Sequence, residues 1–132
     1  CAYVGSQTHI YNDTLRNNLT LWNEAITDTH IKEVLERVNL LSFLNRIDEQ
    51  VSDGSFSEGQ KQRIGLIRAF LKGSSVVIFD EATANLDHKN ATRIEHLLLS
   101  DPNITYITVT HHLIKENEPY FDKIIRLGEG TE

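Results

Sequence analysis

Apolar positions recur along this chain with two periods, and the period switches several times. Residues 2–6, AYVGS, alternate weakly and end in turn formers, which predicts a short strand followed by a loop. Over 12–22, NDTLRNNLTLW, the apolar Leu15, Leu19 and Trp22 fall at helical spacing behind a cap candidate at Asn12 or Asp13. A second helix is predicted from Asp28 to Leu40, with Ile31, Val34, Leu35 and Val38 on one face, and a short helical piece near Leu41–Ile47. Residues 48–56 read as loop, with Gly54 at a turn position. The stretch SFSEGQKQRIG, 55–65, then opens a helix: Ser57 with Gln60 three residues on has capping-box spacing. Ile64, Ile67, Phe70 and Leu71 form its inner face and Gly73 closes it.

The next segment has a different character. VVIFDEA, 76–82, is a continuous β-branched and aromatic run ending in two carboxylates, the pattern of a parallel strand covered on both faces. DHKNATRIEHLLLS, 87–100, is helical and stopped by Asp101-Pro102. ITYITVT, 104–110, reads as a second buried strand and KIIRL, 123–127, as a third. Strands alternating with helices at this spacing predict an α/β domain with a mainly parallel sheet. The stretch 12–56, all helix and loop, is expected to be an α-helical subdomain inserted into it, between a strand and loop at 1–11 and a core at 57–132.

Bulk properties narrow the function. A net charge of −6 argues against a nucleic-acid surface, which needs a basic face. Cys1 is the only cysteine, so neither an internal disulfide nor a cysteine-based zinc site is available. Apolar runs are far too short to span a bilayer, and no signal or transit segment is visible. The chain contains no methionine and opens directly on a strand, so it is expected to be a piece of a longer protein with the missing part upstream.

Candidate chemistry gathers at element ends. Asp80 and Glu81 terminate the strongest strand, on the side where open parallel sheets place their ligands. One carboxylate there suits Mg²⁺ held through water, and a second suits the orientation of an attacking water. His111 follows the strand 104–110, where an imidazole could donate to a developing phosphate charge; His112 competes with it. Gln7 ends the first strand, where an amide could reach a metal or water, although a polar residue after a strand is the norm. Ser57, Gly59 and Gln60 surround a helix amino end, whose free N–H groups and dipole favour anions. Read alone, that helix start is equally a plain N-cap.

In this order FSEGQKQR, VVIFDEATANLD and VTHH resemble the nucleotide-binding domain of ABC transporters. FSEGQ is similar to the family signature LSGGQ, VVIFDE to its Walker B strand with the catalytic glutamate, ANLD (84–87) to the D-loop, His111 to the switch histidine and YVGSQ to the Q-loop. IYNDTLRNNL further resembles the segment after the Q-loop in exporter-type members, F-x-x-T-I-x-x-N-I. The resemblance runs through nearly the whole chain. It implies a P-loop NTPase-like (RecA-like) α/β core, incomplete here, with an inserted helical subdomain.

By this resemblance Glu81 polarises or deprotonates the attacking water, Asp80 supports Mg²⁺ through water, and Gln7 contacts the metal or the water and relays to the membrane domains. His111 would contact the γ-phosphate and Asp87 would couple two sites across a dimer. Ser57, Gly59 and Gln60 would bind the γ-phosphate of ATP held by a second nucleotide-binding domain. The implied activity is ATP hydrolysis that powers export, at the cytoplasmic face of the cell membrane, with the piece itself soluble. Two departures stand out: Glu58 puts a charge where the signature has glycine, and Gly5-Ser6 leaves the register of Gln7 open by one residue.

None of the seven glycines is followed by lysine, so the chain has no GxxxxGK[ST] phosphate cradle (Walker A). Isolated, it is therefore expected to be inactive. In the family's sheet order the P-loop strand lies between 104–110 and KIIRL, so 104–110 is expected to keep an unpaired edge and to self-associate or rearrange there. Two alternatives carry other functions: an ABC-type ATPase of chromosome maintenance or repair, and a non-catalytic dimerisation or docking module.

Overall fold

The computed structural model describes residues 2–4, 8–80, 88–110 and 114–125, without the side chains of His88 and Asn90. Three parallel strands form the main sheet: β1 (Ala2–Val4), β4 (Val76–Asp80) and β5 (Thr105–Val109), in the order β1-β4-β5. Val4 stands opposite Phe79 and Asp80 opposite Val109, so β4 is central and delivers Asp80 to the carboxyl edge. This is the α/β architecture expected from the alternation of strands and helices.

The sheet is covered unequally. Val77 and Phe79 point into the core with Val4, Ile64, Ile67, Ile94 and Leu98, beneath α3 (Glu58–Lys72) and α4 (His88–Ser100). On the opposite face Ile78 and Asp80 are only half-buried, while Ile107 and Val109 are exposed, Val109 at 59%. The coverage on both faces expected of the 76–82 run, and the burial expected of 104–110, are thus corrected for the described residues, because α3 and α4 both lie against the other face.

The strand expected at KIIRL does not form over 123–125, and 126–127 lie outside the described residues. Ile124 and Ile125 are exposed instead. Residues 120–123 and Ile125 line a groove of about 590 Å³ with residues 104–108, Tyr106, Thr108, Tyr120 and Phe121 among its walls. No strand among the described residues fills that groove, and an extended segment without a hydrogen-bonding neighbour gains no ladder.

Between β1 and α3 run two helices. The first, α1 (Leu15–Thr20), is capped by Thr14, whose hydroxyl accepts from the Asn17 N–H, rather than by Asn12 or Asp13. It ends before Trp22: Leu21 and Trp22 are both left-handed, at φ 53° and 63°. Each costs about 1–2 kcal/mol for an L-residue. Trp22 gains in return an indole hydrogen bond to Asp13 at 3.1 Å and an edge contact with Tyr11. It lies outside the helix that the spacing predicted and is 48% exposed.

The second helix, α2 (Asp28–Arg37), buries Ile31, Val34, Leu35 and Val38 as the pattern predicted. Thr27 caps its start, and Asn39 at φ 60° lets the Leu40 N–H close onto the Leu35 carbonyl. A 3₁₀ turn over Leu41–Arg46 follows. The stretch 12–56 is not purely helix and loop. β2 (Asp13–Thr14) pairs antiparallel with β3 (Gln50–Val51), tying its two ends together. Arg16 reinforces this clip by bridging Asp28 and Asp48. Among the described residues no helix is long and apolar enough to cross a membrane.

Candidate functional site

The helix start at 57–60 is built as its spacing predicted. The Ser57 hydroxyl accepts from the Gln60 N–H at 3.2 Å, and the Gln60 side-chain oxygen accepts from the Ser57 N–H at 2.9 Å. Ser57 and Glu58 are exposed, Gln60 is partly buried and Gly59 is buried. The helix closes at Gly73, which at φ 75° takes the left-handed turn that a side chain would oppose.

Glu58, the departure from a glycine, is turned back along its own helix. Lys61 Nζ lies 3.3 Å from its carboxylate and 3.0 Å from Asp53, in a short 3₁₀ turn over Asp53–Ser55. The ammonium is held above the ordinary lysine value, first by its hydrogen bond to Asp53 and against the opposing effect of burial. One cation thus faces both acidic side chains beside the helix start.

Asp80 occupies the carboxyl end of the central strand, fixed between β1 and β5. Its Oδ2 accepts a 2.5 Å hydrogen bond from the Tyr3 hydroxyl. This bond, then burial, then the carboxylate charge push the phenol above its usual range. No group of three His, Cys, Asp or Glu able to cage a metal exists among the described residues. A single strand-end carboxylate instead fits Mg²⁺, which keeps several waters and takes its other ligands from phosphate. Gln7, Glu81, Asp87 and His111, with the competing His112, lie outside the described residues.

Several supporting residues were missed by sequence reasoning. Asn18 is buried; its amide donates to the Tyr11 and Thr14 carbonyls at 3.0 Å and its oxygen accepts from the Tyr11 N–H at 2.8 Å. Arg68, on α3, donates to the Asn18 carbonyl at 2.7 Å, which fastens α1, and through the Asn18 side chain the loop at Tyr11, to the same helix that begins at Ser57. Burial lowers the Arg68 guanidinium below its ordinary value. Gly65 lets α3 approach that loop: a Cβ there would meet Thr8 Oγ1 at 3.1 Å and Val4 Cγ1 at 3.3 Å. Farther along, Glu95 is 3% exposed and accepts from the Tyr106 hydroxyl at 2.8 Å and the Asn117 amide at 3.3 Å, joining α4, β5 and the 3₁₀ turn Lys115–Tyr120. The sequence signal available for these was a polar residue at a core-facing helical position, which reads equally as a solvated face.

Known proteins are similar to this chain in sequence over nearly its whole length. A probable ABC transporter ATP-binding/permease protein of Haemophilus influenzae is 33% identical over 98% of the chain, which spans 24% of that relative. The glutathione/L-cysteine transport system ATP-binding/permease protein CydC of the same organism is 32% identical, and the ATP-dependent lipid A-core flippase of Francisella novicida 30%; each match covers 98% of the chain and 23% of the relative. The chain therefore spans about a quarter of the length of these relatives. The structure of a bacterial Atm1-family ABC exporter with ATP bound superposes with a TM-score of 0.75 over 84% of this chain and 21% of that one, at 22% identity, a likeness of fold. The family model for ABC transporters matches residues 2–84, from the first strand through α3 and the Asp80 strand, and with it more than half the sequence. On that match the chain belongs to the ABC transporter family.

Proposed function

We propose that these residues are the part of an ABC exporter's ATP-binding domain that closes on ATP and promotes its hydrolysis, with the nucleotide sandwiched between two such domains. The observation that carries the reading is Asp80, a carboxylate at the carboxyl end of the central parallel strand, preceded in the chain by the capped helix start at Ser57. Asp80, with Gln7, would hold Mg²⁺, which when bound would neutralise charge on the phosphates. Glu81 accepts the proton, or polarises the O–H bond, of the water that attacks the γ-phosphorus. The bond to the β-phosphate oxygen breaks, releasing ADP and phosphate. His111 donates toward the charge that develops on the γ-phosphate.

Ser57, Gly59 and Gln60 take the same phosphate group from a second domain, and Asp87 couples the two sites. The pairing of Glu58 with Lys61 supports this assignment, since it directs the extra carboxylate along the helix rather than leaving its charge uncompensated. Without a GxxxxGK[ST] cradle among them, the 132 residues do not turn over ATP on their own.

The permease portion named in the curated relatives supplies the partner on the membrane side. Its contact surface is assigned to the exposed aromatic corner of Tyr11 and Trp22, which Asn18 and Arg68 tie to α3. The parent protein then works at the cytoplasmic face of the membrane, with the stretch 12–56 as its inserted subdomain. The test is the Glu81→Gln substitution in the full-length protein: ATP should be bound and retained while hydrolysis falls by about a thousandfold or more. Undiminished hydrolysis would contradict the reading.

A further inference from the structure

We propose that Tyr3 is a positioning residue for the metal site, its hydroxyl fixing the direction of the Asp80 carboxylate from the neighbouring strand. The proposal rests on the reading of Asp80 as the carboxylate that supports Mg²⁺.

The geometry follows from strand register. Tyr3 stands opposite Ile78 in the parallel β1–β4 pair, so its side chain emerges on the face that carries Ile78 and Asp80. Asp80 lies two residues farther along, about 6.6 Å at strand rise, a span that suits a phenol ring reaching diagonally across the sheet. The hydroxyl meets Oδ2 at 2.5 Å, the short range of an O–H donor to an ionised acceptor. Packing does not explain the placement of the ring, because Tyr3 is 65% exposed.

A carboxylate is free to rotate about its last torsion, and that freedom is lost when a metal-bound water is engaged. With Oδ2 anchored to Tyr3, the carboxylate plane is set in advance, and the direction of Oδ1 with it. Outer partners of this kind tune metal affinity by about 10–100-fold when the ligand binds directly. Since Asp80 acts through water, the lower end of that range, about tenfold, is expected here.

The test is Mn²⁺ binding, followed by electron paramagnetic resonance, to the ATP-loaded full-length protein carrying Glu81→Gln to prevent turnover. Tyr3→Phe, which removes only the hydroxyl, should weaken Mn²⁺ about tenfold. Asp80→Asn should weaken it at least as much, and Tyr3→Phe should add nothing in the Asp80→Asn background. Unchanged Mn²⁺ binding in Tyr3→Phe, beside a loss in Asp80→Asn, overturns the role of Tyr3 and leaves the metal site standing. Independent, additive losses overturn it as well. If Asp80→Asn itself leaves Mn²⁺ binding unchanged, the assignment of Asp80 falls, and the inference with it.

Discussion

Lys61 Nζ sits 3.3 Å from the Glu58 carboxylate, three residues earlier on the same helix, and 3.0 Å from Asp53. The charge that distinguishes FSEGQ from LSGGQ is therefore compensated locally. Replacing Glu58 by glycine in the full-length protein should change the apparent ATP affinity by less than about threefold, the scale of an exposed charge pair. Lys61→Ala should weaken ATP binding, and the Glu58→Gly/Lys61→Ala double variant should recover it. A loss in Lys61→Ala that the double variant does not repair would show that Lys61 acts on something other than Glu58. Nucleotide titrations at two salt concentrations read this directly, since the compensation is screened at high salt.

Gly65 sets how closely α3 approaches the loop after β1. A methyl there meets Thr8 Oγ1 at 3.1 Å, and a branched side chain has nowhere to go without moving β1 or that loop. Gly65→Val should destabilise the intact protein by about 1–3 kcal/mol through overpacking, measured as a fall in the unfolding midpoint. A neutral Gly65→Val would mean that the close approach does not exist in solution.

The buried Glu95–Tyr106–Asn117 group gives a pH signature. Burial first, then the charge of Glu95, raises the Tyr106 phenol above its ordinary value of 10.0. Below pH 10 the folded and unfolded chains hold the same proton. Above it the unfolded chain ionises first, so stability falls as pH rises, by up to about 1.4 kcal/mol per pH unit for one group. Tyr106→Phe should flatten this alkaline limb. At neutral pH it should also cost about 1–3 kcal/mol by leaving Glu95 with one donor fewer. Urea denaturation of the intact protein at pH 7 and pH 11 measures both effects.

Among the described strands β5 pairs on one side alone, with β4, and shows Ile107 and Val109 to solvent. Exposed apolar edges recruit other chains. The 132-residue chain by itself should therefore self-associate, and lysine at Ile107 and Val109 should suppress the association. Light scattering decides: a monodisperse unsubstituted monomer contradicts the expectation.

Where local chemistry determines structure, the sequence was informative. The capping pair Ser57 and Gln60, the left-handed Gly73 and the β-branched run 76–80 each fix their element within a few neighbouring residues. Where structure depends on distant partners, it was not. Leu15, Leu19 and Trp22 share helical spacing, yet Trp22 leaves the helix because Asp13 and Tyr11 hold its ring. The two-residue ladder of β2 and β3 pairs Asp13 with Val51 and Thr14 with Gln50, far apart in the chain, and carries no local signature. KIIRL has strand composition but, over 123–125, no neighbour to pair with. Asp80 was legible as a candidate, whereas its link to Tyr3 emerges only once the register of β1 on β4 is known.

The account turns on the start of α3 being both capped and offered to a phosphate from another domain, and Ser57→Asp separates the two roles. Aspartate caps a helix as well as serine does, so hydrogen exchange at the Gln60 and Lys61 amides, which bond to Ser57, should be unchanged. Its charge, however, opposes an incoming phosphate. The decisive measurement is ATP retained by the full-length Glu81→Gln protein with and without Ser57→Asp. Retention should fall by more than about tenfold on adding Ser57→Asp, as expected when a like charge replaces a hydrogen bond to an anion. If the double variant keeps as much ATP as Glu81→Gln alone, this helix does not touch the nucleotide.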